Sequence, residues 1–313
     1  SGGGSNLTIA GKKALADEGI NSLAIDGRLN LAVLNVLPGI SSADTFFAGF
    51  STVSMRLSGI NRTARLSGTA NVENAAISTF VGASRLSLDR LQGRILFTSN
   101  QAQIENLSGY LGGGRFTATG GALIDNDLSL SSYRVSVVGS NVTVPLPEQF
   151  MTTGDARLDI SGRKIGNNLT TLISGSVLAR RSIYSEDIDL ADLISGRRDS
   201  SLSGGASTGF APRFNLTISG RNALIVRNNI ADLTASADLI LTGTTTNPQI
   251  SGRITANGGT VFFKKDRYEV QRAVVEFPPN TNIEPVVFLQ AETEIQGYQI
   301  FVNLSGPLTD TEA

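Results

Sequence analysis

The chain is written in short runs of alternating apolar and polar residues. In "ADLTASADLILTG" the alternate positions are Leu233, Ala235, Ala237, Leu239 and Leu241, a period of two that belongs to strands and not to helices. "IEPVVFLQAETEI" repeats it with Val287, Leu289, Ala291, Thr293 and Ile295, and after a Gly turn come Ile300, Val302 and Leu304. The stretch from 93 to 124 does so again with Ile95, Phe97, Ile104, Leu107, Phe116 and Ala118. Breaks such as "TSNQ", "GGG", "IDND" and "NGG" predict hairpin turns. At Arg272–Ala273 the alternation slips by one residue before Val275 and Phe277, which predicts a β-bulge.

One tripeptide punctuates these runs. Leu/Ile-Ser-Gly recurs ten times, beginning at Leu57, Leu66, Leu107, Ile160, Ile173, Ile194, Leu202, Ile218, Ile250 and Leu304. The spacing is irregular, which excludes a solenoid of fixed coil length. The motif reads as one strand type reused: an inward aliphatic, an outward Ser, then a Gly where the strand bends or another backbone approaches. Helix signals are confined to "LNLAVLNVL" (29 to 37) and "SEDIDLADLISG" (185 to 196). Both are too short to cover a large sheet, so the apolar face of that sheet needs another partner.

Composition narrows what the partner is. The chain of 313 residues is 40% hydrophobic but only 6% aromatic, with no Trp and five Tyr. A membrane β-barrel turns apolar residues to lipid between two aromatic girdles, and this composition cannot build them. Two readings of the inward positions stay open: a closed β-helix filled by stacked side chains, of the adhesin or polysaccharide-acting type, and a long sheet curved into an open gutter. The inward residues are mostly Leu, Ile, Val and Ala, which line a trough well and supply few large rings to fill one. No stretch reaches the roughly 18 consecutive apolar residues of a membrane-spanning helix. The opening "SGGGS" reads as a linker, placing any targeting signal upstream.

The chemistry available is limited. With no Cys and no His there is no thiolate nucleophile, zinc-thiolate site or imidazole base. The carboxylate pairs Glu186/Asp187 and Asp189/Asp192 read as solvated surface, since no constellation of Asp, Arg and Lys gathers at a repeated position. An enzyme is therefore not expected, and neither is a cofactor. A net charge of −1 gives no electrostatic reason to expect nucleic acid. The basic pairs in "KKDR" (264 to 267), Arg180–Arg181 and Arg197–Arg198 read as solvated turns.

Residues 226 to 310 carry a more specific signal. The Asn-Asn-Ile-Ala-Asp-Leu entry, the "LTGTTTNPQISGRI" pair, Gly-Gly-Thr before "FFKKDRYEV", the Ile-Glu-Pro opening and the Leu-Ser-Gly-Pro-Leu close occur in one order. In that order they closely resemble the C-terminal region of the TamB-like translocation and assembly module family, related to the AsmA-like bridge proteins of diderm bacteria. Residues 28 to 124 resemble the preceding repeats more loosely. The resemblance implies an all-β fold, a long antiparallel sheet curved into a U-shaped open groove (a β-taco) with one or two short helices. It implies a periplasm-spanning protein anchored to the inner membrane, with phospholipid acyl chains in the groove. A role in outer-membrane protein assembly with an Omp85-family barrel is implied as well. The anchor and the terminal segment that docks on the barrel are expected outside this chain.

The expected organisation is a linker with first strands (1 to 27), TamB-like repeats (28 to 180), a helical insert and loop (181 to 205) and a C-terminal β-taco region (206 to 313). Expected groove-lining residues are Leu233, Ala235, Leu239, Leu241, Ile250, Ile254, Val261, Phe263, Val275, Phe277, Val287, Leu289, Ile295, Ile300, Val302 and Leu304.

Overall fold

The structure is a computed structural model, and it describes residues 4–15, 18–36, 45–60, 63–81, 84–125, 129–145, 149–166, 168–187, 212–244, 247–263, 266–279 and 285–307. It is all-β: among the described residues, seventeen strands belong to one antiparallel sheet. They are β1 (Asn6–Lys12), β2 (Ile20–Asn30), β3 (Thr45–Ile60), β4 (Arg65–Val81), β5 (Ser84–Thr98), β6 (Gln101–Leu111), β7 (Gly114–Ile124), β8 (Leu130–Val144) and β9 (Phe150–Ile165). After these come β10 (Asn168–Tyr184), β11 (Arg213–Arg227), β12 (Ala231–Thr244), β13 (Pro248–Ala256), β14 (Gly259–Phe263), β15 (Asp266–Phe277), β16 (Val286–Ile295) and β17 (Tyr298–Pro307). The contacts divide the chain into two compact units, residues 1–142 with 157–172 and residues 143–156 with 173–313.

In the first unit, strands adjacent in sequence pair antiparallel from β1 through β8. Paired residues share a face, so the register sorts the side chains. One row across the sheet runs Leu29, Ser51, Val72, Gly93, Leu107, Ala118, Val137. The next row runs Gly27, Val53, Ala70, Ile95, Ile104, Gly120, Val135. A register shift between Ile104 and Leu107 holds both on the apolar face despite their odd spacing. The core of this unit is the cluster Ala75, Leu91 and Phe116 on that face, with Leu31, Ile77, Leu88 and Leu111 packed around it. Phe116 faces Gly109 on β6 and Gly139 on β8, two positions with no side chain to take its place. Phe116→Ala is therefore expected to cost roughly 3 to 5 kcal/mol, read as a lowered urea midpoint.

Next to this cluster the register shifts between Ala48 and Phe50, Val72 and Ala75, and Asp89 and Gln92. Gly49, Asn74 and Arg90 take φ of +95°, +48° and +50° at those shifts. Bulges at matching places on three neighbouring strands bend the strands together. The Leu-Ser-Gly motif contributes bends of a second kind. Gly68 and Gly252 have φ of +130° and +119°, and a Cβ on either would stand 2.0 and 2.2 Å from the carbonyl oxygen of Ser54 and Asp238 on the adjacent strand. The close backbone approach expected of the motif is found at both.

Several local expectations are revised. "LNLAVLNVL" is not an α-helix: Leu29 and Asn30 complete β2, and Leu31–Val36 form a 3-10 turn. Asn30 caps it through Oδ1 to the Ala32 amide, and the Asn35 side chain bonds both the amide and the carbonyl of Phe47. The Asn35 amide thus takes the place of a strand residue beside β3. "NGG" is not a hairpin. β13 and β14 both pair with β12 and with β15. They are two halves of one strand line, kinked at Gly258 (φ +140°). The reversal comes after β14, where Phe263 pairs with Asp266. Arg180 and Arg181 lie within β10 and not in a turn, and Arg180 donates to Asp155. The expected bulge falls at Gln271, between Val270 and Arg272. Of the expected helical insert and loop (181 to 205), residues 181–184 belong to β10, and 188–205 lie outside the described residues. Among the described residues no helix is long and apolar enough to cross a membrane.

Candidate functional site

The second unit presents one continuous apolar face, and the strand registers define it. Leu216, Leu241 and Ile250 form one cross-strand row on β11, β12 and β13. Ile218, Leu239, Gly252 and Phe277 form the next. Ala237, Ile254, Val275, Val287 and Gly306 follow, reaching from β12 to β17. Ala256, Ala273, Leu289 and Leu304 lie beside them, then Val270, Ala291 and Val302. Thr293 with Ile300 and Ile295 with Tyr298 continue the face toward the β16–β17 turn. On the other side of the Gly258 kink, Leu233 pairs with Val226 and Gly259, and Ala231 pairs with Val261. Ala235 pairs with Leu224, and Phe263, two residues beyond Val261, shares its face. All sixteen residues expected from the sequence therefore lie on the same face.

Burial shows how that face is filled. Ala235, Val270 and Ala291 are buried beneath their neighbours. The larger residues Leu239, Leu241, Ile250, Ile254, Val287, Leu289, Val302 and Leu304 are only half-buried, and Phe263 and Ile300 are 49% and 37% exposed. A filled interior would take such side chains to full burial. The registers from β1 to β8 and from β11 to β17 are antiparallel, whereas a β-helix stacks its coils in parallel. The closed β-helix is set aside on both counts.

Local chemistry explains how the face keeps its register. At the β16–β17 turn Gln296 and Gly297 take φ of +52° and +81°, the two left-handed residues of a type I′ hairpin. Gln271, the extra residue in β15, lets Val270 and Ala273 share a face although three positions apart. At the start of β12, Asn228 Oδ1 accepts from the amides of Ile230 and Ala231, which fixes the turn entering the strand. Asn228 and Asn229 also hold Glu186 and Asp187, through the Glu186 carbonyl and an Asp187 carboxylate oxygen. Of that carboxylate pair, Asp187 accepts from the Asn229 amide, while Glu186 is held through its main-chain carbonyl; Asp189 and Asp192 lie outside the described residues. Asp155 raises the pKa of the exposed Arg180 by a hydrogen bond and by its charge. Burial, and then the charge of Glu186, raise that of the Tyr184 phenol, whose ring packs 4.9 Å from Phe150.

Sequence reasoning missed part of the face. Leu216 and Ile218 on β11 stand in plain alternation in "RFNLTISG" and could have been named. Leu224 and Val226 could not, because a register shift after Gly220 intervenes, with Asn222 at φ +49°. The opposite face of β15–β17 is also partly apolar: Val274 pairs with Phe288, and Phe288 and Phe301 are exposed.

The described residues of this unit thus form an antiparallel sheet with one long, half-buried apolar face. The family follows from comparison. Residues 103–311 match the model of the TamB C-terminal domain, and the chain belongs to the TamB family. That family comprises non-enzymatic translocation and assembly modules of the envelope, with a role in outer-membrane biogenesis. Neither the curated proteins nor the solved structures gave a match.

Proposed function

We propose that the sheet closes its apolar face into an open U-shaped groove that carries phospholipid acyl chains through the periplasm, between inner and outer membranes. The observation that carries this reading is the continuity of half-buried Leu, Ile and Val from β11 to β17. Acyl chains need apolar contact alone, worth about 0.8 kcal/mol for each methylene removed from water. No imidazole, thiolate or metal is required for such work, and the composition provides neither His nor Cys. The sixteen residues named from the sequence line the groove, with Leu216, Ile218 and Ala273 added by register. Within the whole protein, anchorage in the inner membrane and docking on an Omp85-family barrel would join the groove to both membranes, and outer-membrane protein assembly would draw on the same scaffold.

A transfer assay tests the reading. Purified protein is mixed with donor vesicles carrying a self-quenched fluorescent phosphatidylethanolamine and with unlabelled acceptor vesicles. Dequenching should accelerate in proportion to protein concentration. A rate no faster than the protein-free control, together with no phospholipid co-purifying with the protein, would sink the groove and leave the sheet a scaffold.

A further inference from the structure

The first unit carries a recess of about 740 Å³ that the acyl-chain reading does not use. Register identifies its face. Tyr133 belongs to the apolar face, since it pairs with Ala122, and Ala122 with Ala102. The Tyr133 hydroxyl lies 2.7 Å from Thr171 Oγ1, and its ring stands where a Cβ on Gly162 would be. Thr171 and Gly162 therefore point the same way, and alternation turns Arg163 and Leu172 to the opposite face. Arg134 joins them there through the row Gln103, Gly121, Arg134. Small residues between the long ones, Gly121 with Ser132 and Ser161, leave the hollow.

The charged side chains that line the recess are cationic. Among the described residues Arg134 and Arg163 line it and no Asp or Glu does; Asp159, further along β9 on that face, accepts a hydrogen bond from Ser136 Oγ. Elsewhere Arg94, Arg180, Arg227 and Arg253 each meet a carboxylate. Among the described residues neither Arg134 nor Arg163 has an ion-pair or hydrogen-bond partner. Leu123, Ile165 and Leu172 line the same recess and are exposed at 43%, 65% and 38%. Two cations that fork onto oxygen anions, beside a lipophilic rim, match a phosphate with hydrocarbon attached. A free inorganic anion would have no use for the rim. An extended acidic peptide would seek strand-edge amides, and on the face of a sheet those are already used in the ladder.

We propose that this recess binds the phosphate of an anionic phospholipid headgroup at a lipid surface, with Arg134 and Arg163 on the phosphate and Leu123, Ile165 and Leu172 against the glycerol–acyl junction. The proposal does not rest on the groove of the second unit, because its residues all lie in the first unit.

Co-sedimentation of the full chain tests it, with vesicles of phosphatidylcholine alone and of phosphatidylcholine mixed with phosphatidylglycerol. Mixed vesicles should bind at least tenfold more tightly. Each arginine near an anionic surface contributes about fivefold, so R134Q/R163Q should lose roughly 30-fold. R134K/R163K keeps the charge but not the fork and should bind between the parent chain and R134Q/R163Q, which separates loss of the site from misfolding; R56Q should bind like the parent chain. Equal binding to the two kinds of vesicle, or unchanged affinity in R134Q/R163Q, overturns the proposal. So does full release by millimolar inorganic phosphate at constant ionic strength, which would mark a free-phosphate site. Tighter, arginine-dependent binding to polyglutamate would overturn it in favour of an acidic protein partner.

Discussion

Photo-reactive side chains at Val287 and Ile254 should form phospholipid adducts in cells, and Leu241→Asp or Leu289→Arg should reduce those adducts at least tenfold. Leu241 pairs with Leu216 and Ile250, and Leu289 with Ala273 and Leu304, so each sits among aliphatics on both sides. A charge there lies beside any hydrocarbon on the face. Its desolvation costs several kcal/mol, more than the contact of a few methylenes returns. Gln290 pairs with Arg272 and Asn303 on the opposite face, where Gln290→Asp or Gln290→Arg should change nothing. Photo-crosslinkers at Gln290 and Glu294 should give few adducts. Equal yields from the two faces would mean that the alternation has no bearing on lipid.

A second large effect is expected from a single methyl group at a bent strand. Gly252→Ala places a Cβ 2.2 Å from the Asp238 carbonyl oxygen at a φ of +119°, where L residues are strained. Neither defect relaxes without moving β12 against β13. The expected loss is about 3 kcal/mol, or roughly 6 to 12 °C in thermal midpoint for a unit of this size. Gly166 is the control. It has φ +62° with open space around it, and Asn tolerates that conformation, so Gly166→Asn should cost less than about 1 kcal/mol. Matched midpoints for the two variants would mean that the motif glycines serve no closer an approach than turn glycines do.

Much of the apolar face was legible because a strand's period of two survives in the sequence wherever the strand is regular. Leu239 and Leu241, or Leu289 and Ala291, declare a shared face by spacing alone. Legibility fails where an irregularity changes the count. Val270 and Ala273 face the same way only because Gln271 is extra, and Ile104 and Leu107 only because two residues bulge between them. Asn257-Gly258-Gly259 has the composition of a hairpin turn and serves instead as a kink, because β12 and β15 flank both sides of it. Local chemistry permits either outcome, and long-range pairing chooses. The Arg134–Arg163 recess has no local signature at all. The two residues are 29 positions apart, and only the register through Tyr133, Thr171 and Gly162 brings them to one face.

By itself the sequence determined the all-β class, the family, the sixteen apolar positions of one face and the absence of His and Cys chemistry. Each of these is written in residue type and short-range alternation. The tertiary structure decided which strands are neighbours, where bulges preserve a face across an odd spacing, and how far the aliphatics remain uncovered. Those outcomes depend on hydrogen-bond registers between residues far apart in the chain, and a change of one residue in a register turns every side chain of a strand to the other face.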